Sequence, residues 1–296
     1  MQKSQTLSYT EHAIERGPSH MYAREYPGEE PAIVLMHGFP DNLHLYDRLL
    51  PWLITSRRAV TFDFLGWGES DKPAGYPYTA ANQVGDLDAV IEQLHLQQVV
   101  LVAHDASGPP AIDWALAHAD RVAALVLLNT YYCLMPTLRP PEAILLNSTP
   151  LVRNVARVVF QAFDNWLFRK MYWWQVGRFM RKAEDREEFL PLLYQQFAAA
   201  PSAQPAFFRL NEDLLSTVRD RTKQIPQMKA FSRPVRIIFG ASDPYLNAGV
   251  ARRFHELFPT SELFLLPGAY HYVQIDEPEQ VARLLLSTPL AHEAQE

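Results

Sequence analysis

The chain has 296 residues, 48% of them hydrophobic and 20% charged, enough to bury one sizeable core with or without an inserted subdomain. Lys and Arg number 27 against 33 Asp and Glu, and the resulting formal charge of −6 argues against a nucleic-acid binder, which needs a basic excess to neutralise phosphates. The single cysteine, Cys133, excludes an intramolecular disulfide and a cysteine-based metal cluster.

The N-terminal MQKSQTLSYT lacks the apolar segment of a signal peptide, and the longest evident apolar run, Ala123 to Leu128, is strand-sized. A cytoplasmic protein without a membrane span is therefore expected. In chain order, Met21 to Tyr26 is a candidate strand, and Ala32 to Met36 (AIVLM) reads as a strand buried on both faces. Leu43 to Leu53 reads as a helix and Ala59 to Asp63 as a short strand. Thr79 to Leu94 carries Val84, Leu87, Val90, Ile91 and Leu94 at helical spacing behind a capping Thr79. Val99 to Ala103, Val122 to Asn129, Val235 to Phe239 and Glu262 to Leu266 continue the strands. Gly108 to His118, Asn247 to Phe258 and Pro278 to Leu286 supply helices between and after them. Strand–helix alternation implies an α/β fold with a mostly parallel central sheet and helices on both faces.

The alternation breaks between about Tyr131 and Ala230. That stretch is helix-like and rich in aromatics, among them Phe160, Phe163, Trp166, Phe168, Tyr172, Trp173, Trp174 and Phe179. Pro136, Pro140, Pro141 and Pro150 punctuate its entry, and Pro226 and Pro234 its exit. The expected organisation is a core domain of residues 1–133 and 229–296 with an inserted helical cap of residues 134–228. The cap charges Arg169, Lys170, Arg178, Arg181 and Lys182, beside Glu184, Asp185, Glu187 and Glu188, read as a solvated outer face.

The strongest local signal is Val99-Val100-Leu101-Val102-Ala103-His104-Asp105-Ala106-Ser107-Gly108. A strand runs through a sharp turn into a helix, with small residues Ala103 and Ser107 two positions either side of Asp105. This is the pattern of a nucleophile elbow with Asp in the usual place of Ser. Ser107 fits less well as the nucleophile, because a small residue is then needed at 105. Taken alone, Asp105 could be a helix N-cap, Asp243 a turn former and His271 a loop residue. Their common place at strand ends, in the order Asp105, Asp243, His271, argues for a catalytic set. His104 precedes the nucleophile and should point away from it, while His118, His255 and His292 read as surface positions.

Met36-His37-Gly38-Phe39-Pro40 follows another buried strand. Its backbone, with the N–H of Ala106, is expected to form an anion-binding hole from Phe39 and Ala106, and His37 to hold the loop. The loop Asp63 to Pro73 lacks the spacing of a Walker loop or a dinucleotide fingerprint, and no ligand spacing for a metal is present, so neither cofactor nor metal is expected.

HGFP, DFLGWGESDKP, HDASG, GASDP and AYHYVQIDEPEQV together resemble the α/β-hydrolase superfamily, and within it the Asp-nucleophile branch of haloalkane dehalogenases and epoxide hydrolases. The resemblance runs from about Met21 to Leu286, the cap excepted. It implies that Asp105 forms an ester with an electrophilic carbon and that His271, oriented by Asp243, activates water to hydrolyse it. Phe39 and Ala106 N–H groups would bind the oxyanion or halide. The implied partners are a small, apolar substrate and water, with no nucleic acid and no membrane.

The substrate class is left between two readings. Dehalogenases usually carry Trp directly after the nucleophile, where this chain has Ala106; Trp166, Trp173 or Trp174 could supply the donor instead. Epoxide hydrolases use cap tyrosines, for which Tyr172, Tyr194, Tyr131 and Tyr132 are candidates. Trp166, Trp173 and Tyr272 are expected at the substrate. HGFPDNLHLY and DFLGWGESDKP read closer to the dehalogenases, so carbon–halogen hydrolysis is the first expectation and epoxide hydrolysis the alternative. A non-catalytic relative that binds a ligand under its cap is the third reading.

Overall fold

A computed structural model describes residues 7–148 and 166–291. Pro150, Phe160, Phe163 and His292 lie outside the described residues, as does the side chain of Phe168. Eight strands form one sheet in the order β1-β2-β4-β3-β5-β6-β7-β8: β1 Thr10–Arg16, β2 Ser19–Tyr26, β3 Ala32–Met36, β4 Ala59–Phe62, β5 Val99–Asp105, β6 Val122–Thr130, β7 Val235–Gly240 and β8 Ser261–Leu266. The pairs from β4 through β8 are parallel, while β1 and β2 add an antiparallel edge.

The central strands β3, β4, β6 and β7 are buried at every position. Their unbroken apolar runs follow from cover on both faces. Thr79 caps the helix Ala80–Gln93 by accepting a hydrogen bond from the Asn82 N–H. That helix and Gly108–Ala117 pack together on the sheet.

Two regions differ from the sequence expectations. β1 (TEHAIER) was not anticipated, because as a polar edge strand it fully buries only Ile14. The expected helix Leu43 to Leu53 is instead a 3-10 turn, Leu43–Tyr46, and a separate short helix, Leu50–Leu53. Asn42 caps the first through its side chain, and Pro51 opens the second.

Between β6 and β7 the described chain is helical: Glu142–Ser148, Trp166–Gly177, Ala183–Ala198, Gln204–Glu212, Leu214–Arg221 and Ile225–Ala230. Its charges do more than face solvent. Arg48 of the sheet domain pairs with Asp185 at 2.5 Å and with Glu188, Arg181 pairs with Glu277 at 2.7 Å, and Arg221 pairs with Asp113. The expectation that Arg181, Asp185 and Glu188 only solvate an outer face is thus corrected, since each ties the helical layer to the sheet domain.

Candidate active site

The sheet order decides which loops can meet. β3, β5, β6, β7 and β8 are successive parallel neighbours, so their carboxyl ends lie along one edge, where open α/β sheets bind ligands. Phe39 follows β3, Asp105 ends β5, Asn129 lies near the end of β6, Asp243 follows β7 and His271 follows β8.

Asp105 has φ +50°, a left-handed conformation that a non-glycine residue adopts at a cost and that turns its side chain out of the strand. Close neighbours must be small. A Cβ on Gly38 would sit 2.5 Å from Asp105 Cβ and 2.7 Å from its Oδ2, and one on Gly108 would sit 2.0 Å from Thr130 Oγ1. Ser107 is fully buried, and its hydroxyl donates to the Met36 and His104 carbonyls at 2.9 and 2.8 Å, so it supports the turn rather than facing the cavity.

The Phe39 N–H donates to Asp105 Oδ2 at 3.1 Å, and the Ala106 N–H also bonds this carboxylate. Burial pushes the Asp105 carboxyl above the usual carboxylate range, against the pull of His271 and these two N–H groups. His37 is buried and bridges its own loop to the next. Its Nδ1–H donates to the Gly38 carbonyl at 2.7 Å, and its Nε2 accepts from the Phe64 N–H at 3.2 Å. This agrees with a structural His37.

His271 Nδ1–H donates to Asp243 Oδ2 at 2.8 Å, and His271 Nε2 lies 4.0 Å from Asp105 Oδ1. The second distance is too long for a direct hydrogen bond but can be bridged by one water. Asp243 Oδ1 accepts from the Tyr245 and Leu246 N–H groups at 2.8 and 3.1 Å. Burial alone would raise the Asp243 carboxyl, but His271 and these hydrogen bonds outweigh it and hold it below the usual carboxylate range. Burial also opposes charge on His271, yet Asp243, Asp105 and Asp41 together raise its pKa above the ordinary histidine value. His104, facing away from the cavity, lies beneath His271 with ring centres 4.6 Å apart, and its Nε2 is 3.1 Å from the His271 carbonyl.

Two supporting residues escape a motif reading. Asn129 donates from Nδ2 to Asp243 Oδ2 at 2.9 Å and accepts the Gly240 N–H at 2.7 Å. Asp41 is 2% exposed; its Oδ1 accepts the Tyr272 hydroxyl at 2.8 Å, while its Oδ2 has no partner among the described residues. Burial, then the charge of Asp105, pushes Asp41 up to about 7. An Asp following HGFP carries no spacing signal that distinguishes it from a turn residue.

A cavity of about 270 Å³ opens over Asp105 and His271, walled mainly by apolar side chains. Met171, Tyr172, Gln175, Val176 and Phe179 form part of its helical side, with Phe197, Phe207 and Leu214 on later helices. The three residues expected at the substrate lie off this wall. Trp166 is 60% exposed; Trp173 packs against Tyr172 and Tyr194 under Arg169; Tyr272 is fully buried and bound to Asp41. The helix Trp166–Gly177 turns its 171/172/175/176 face inward, which puts Trp166 on the other side. Of the candidate tyrosines, Tyr131 and Tyr172 line the cavity, whereas Tyr132 bonds Asp113 at 2.6 Å. Among the described residues no cluster of three or more His, Cys, Asp or Glu could hold a metal, and no helix is long and apolar enough to cross a membrane.

The model of the α/β hydrolase fold family matches residues 31–278. A cis-3-alkyl-4-alkyloxetan-2-one decarboxylase of Shewanella oneidensis is 31% identical, with 93% of this chain and 86% of that protein covered. A haloalkane dehalogenase 2 of Mycobacterium tuberculosis is 24% identical, with 88% of each covered. The structure of haloalkane dehalogenase DatA from Agrobacterium tumefaciens C58 has a TM-score of 0.77 at 22% identity, covering 94% of each chain. The elbow, the strand-end loops and these matches agree: the chain belongs to the α/β hydrolase fold family.

Proposed function

We propose that the chain hydrolyses small apolar substrates through a covalent ester on Asp105. The observation that supports this best is an outward-turned carboxylate on the elbow, with its Oδ2 on the Phe39 N–H and its Oδ1 4.0 Å from His271 Nε2. Attack at an alkyl carbon needs an anionic nucleophile. Burial strips water from the Asp105 carboxylate, which makes it a stronger attacking group when ionised.

In the first step an Asp105 oxygen forms a bond to the substrate carbon and the leaving group departs with its bonding electrons. The ester is neutral, so one of the charges that raise the His271 pKa is lost. Neutral His271 can then take a proton from water through Nε2 while Asp243 holds Nδ1. The water oxygen attacks the Asp105 carboxyl carbon, and the resulting oxyanion is met by the Phe39 and Ala106 N–H groups. Collapse breaks the ester C–O bond: the departing alkoxide takes its proton from His271 and leaves as the product alcohol, and the Asp105 carboxylic acid loses its proton to solvent, which restores the carboxylate.

Carbon–halogen hydrolysis is the first reading of the leaving group, in line with the relatives named haloalkane dehalogenases. Cleavage of a C–O bond in a strained ring such as an epoxide is the second. It is favoured by Tyr131 and Tyr172 lining the cavity, and by the lack of any Trp on its wall among the described residues. The oxetanone relative likewise acts, by its name, on a strained cyclic oxygen compound.

The test is a His271→Gln variant incubated with haloalkanes and with epoxides, followed by mass spectrometry of the peptide containing Asp105. An adduct on Asp105 is expected, and halide release against diol formation by the parent enzyme separates the two substrate readings. No adduct from either class would favour a ligand-binding protein or a different reaction over this covalent hydrolysis.

A further inference from the structure

The helix Trp166–Gly177 has an outer face that the cavity does not use. Met171, Tyr172, Gln175 and Val176 point to the cavity. At the helical spacing, Trp166, Arg169, Lys170, Trp173 and Trp174 fall on the other side, and Arg178 follows them just past the helix end. Trp166, Lys170, Trp174 and Arg178 recur every fourth residue, so rings and cations alternate along one stripe. The Lys170 ammonium lies 4.1 Å from the Trp166 ring centre, and the Arg178 guanidinium 4.9 Å from that of Trp174. Arg169 stands 4.9 Å over Trp173 beside them. Even so, Trp166 and Trp174 remain 60% and 53% exposed. Tryptophan is largely buried in most proteins, so two exposed rings on one stripe point to a partner.

The charge of the stripe says which kind. The chain carries a formal charge of −6, yet from Trp166 to Lys182 it has Arg169, Lys170, Arg178, Arg181 and Lys182 and no Asp or Glu. Glu142 lies 4.0 Å from Arg178 and Glu277 pairs with Arg181, while Arg169 and Lys170 have no acidic partner among the described residues. The partner is therefore anionic, and it tolerates indole. A second copy of this cationic face would be repelled. A nucleic acid would stack its bases on open ring faces, but each of these rings already carries a cation on one face. A phospholipid surface suits both groups: indole settles at the headgroup level, and Lys and Arg reach from there to anionic phosphates.

We propose that the stripe of Trp166, Lys170, Trp174 and Arg178 seats the protein on the surface of an anionic phospholipid bilayer. This departs from the expectation of no membrane partner; a surface contact needs no spanning segment. The helix Trp166–Gly177 then has lipid on its outer face and the cavity on its inner face. The Arg178 end of the stripe lies beside Glu142, which follows Pro141 of the cavity wall, so an apolar ligand dissolved in the bilayer has a short route to the cavity.

Co-sedimentation of the full chain with lipid vesicles tests this. Vesicles of phosphatidylcholine with about 30% phosphatidylglycerol are expected to bind the protein at least tenfold more strongly than phosphatidylcholine alone. Raising the salt to about 0.5 M should remove most of that binding. The double variant Trp166→Ser, Trp174→Ser should bind the anionic vesicles about tenfold more weakly, with unchanged circular dichroism. Should it fail to fold, Lys170→Glu, a single exposed change, is read in the same way. Equal uptake by the two kinds of vesicle, or none by either, overturns the proposal. So does binding to anionic vesicles that these variants leave unchanged. Vesicle binding is read without substrate, so it stands or falls independently of an adduct on Asp105.

Discussion

The strand-end loops and the helical layer above them meet at one cavity but are built by different means. Asp105, Asp243 and the backbone at Phe39 are fixed by strands buried on both faces, by a positive φ and by hydrogen bonds to backbone. The helical side of the cavity is held by side-chain packing and by ion pairs such as Arg48–Asp185 and Arg221–Asp113. Backbone sets atomic positions tightly, whereas packed side chains tolerate exchange. Changes at the strand ends should therefore abolish chemistry, and changes in the helical layer should re-aim it.

The largest effect is expected from Asp105→Ala, which removes the carboxylate proposed to attack the substrate. Loss of kcat/KM by about 10⁴-fold or more should appear in steady-state rates, with folding unchanged by circular dichroism. Gly38→Ala tests how tightly the loop after β3 must close on Asp105, without replacing Asp105 itself. Its Cβ would collide with Asp105 Cβ and Oδ2, so a loss of about 10²-fold in kcat is expected. A Gly38→Ala enzyme with near-parental rates would break the comparison at its rigid end.

Asn129→Leu comes next. It takes one hydrogen bond from Asp243 and leaves the Gly240 N–H without its acceptor. With Asp243 less firmly held as an anion, the His271 pKa should fall from its raised value and the acid limb of the kcat profile should move to lower pH. kcat itself should drop by roughly tenfold. In the helical layer, Val176→Phe fills part of the cavity. It should weaken long-chain substrates about tenfold relative to short ones and leave the short-substrate kcat within about threefold. A large kcat loss for every chain length would show that this layer also positions the reacting groups.

The same contrast explains what the sequence could show. Strands such as AIVLM and the HDASG elbow are legible because double-sided burial and a strained turn each demand particular residue types. β1 was hidden because an edge strand faces water along most of its length. Trp166 and Trp173 were expected at the substrate because the helix is aromatic on several sides. Only packing reveals that Met171, Tyr172, Gln175 and Val176 face inward. Asp41 is an ordinary residue in sequence, and its interest comes from burial without full hydrogen bonding.

Asp41 permits a stability measurement that does not depend on the substrate. It lies between the two regions, in the loop after β3, hydrogen-bonded to Tyr272, with the charges of Asp105 and His271 nearby. Its carboxyl is raised from 3.8 to about 7, first by burial and then by Asp105. A carboxyl whose folded-state pKa lies above its unfolded value favours the folded state when protonated. That contribution is complete below the unfolded pKa, is lost as pH rises toward about 7, and stays lost above it. Asp41→Asn keeps an acceptor for the Tyr272 hydroxyl and cannot ionise. It should thus stabilise the protein little at about pH 4 and most at about pH 8, where a Tm gain of roughly 5 °C is expected. A gain independent of pH would mean that Asp41 stays ionised in the fold. A loss at every pH would mean that the paired Asp41–Tyr272 geometry, rather than its proton, is what the loop requires.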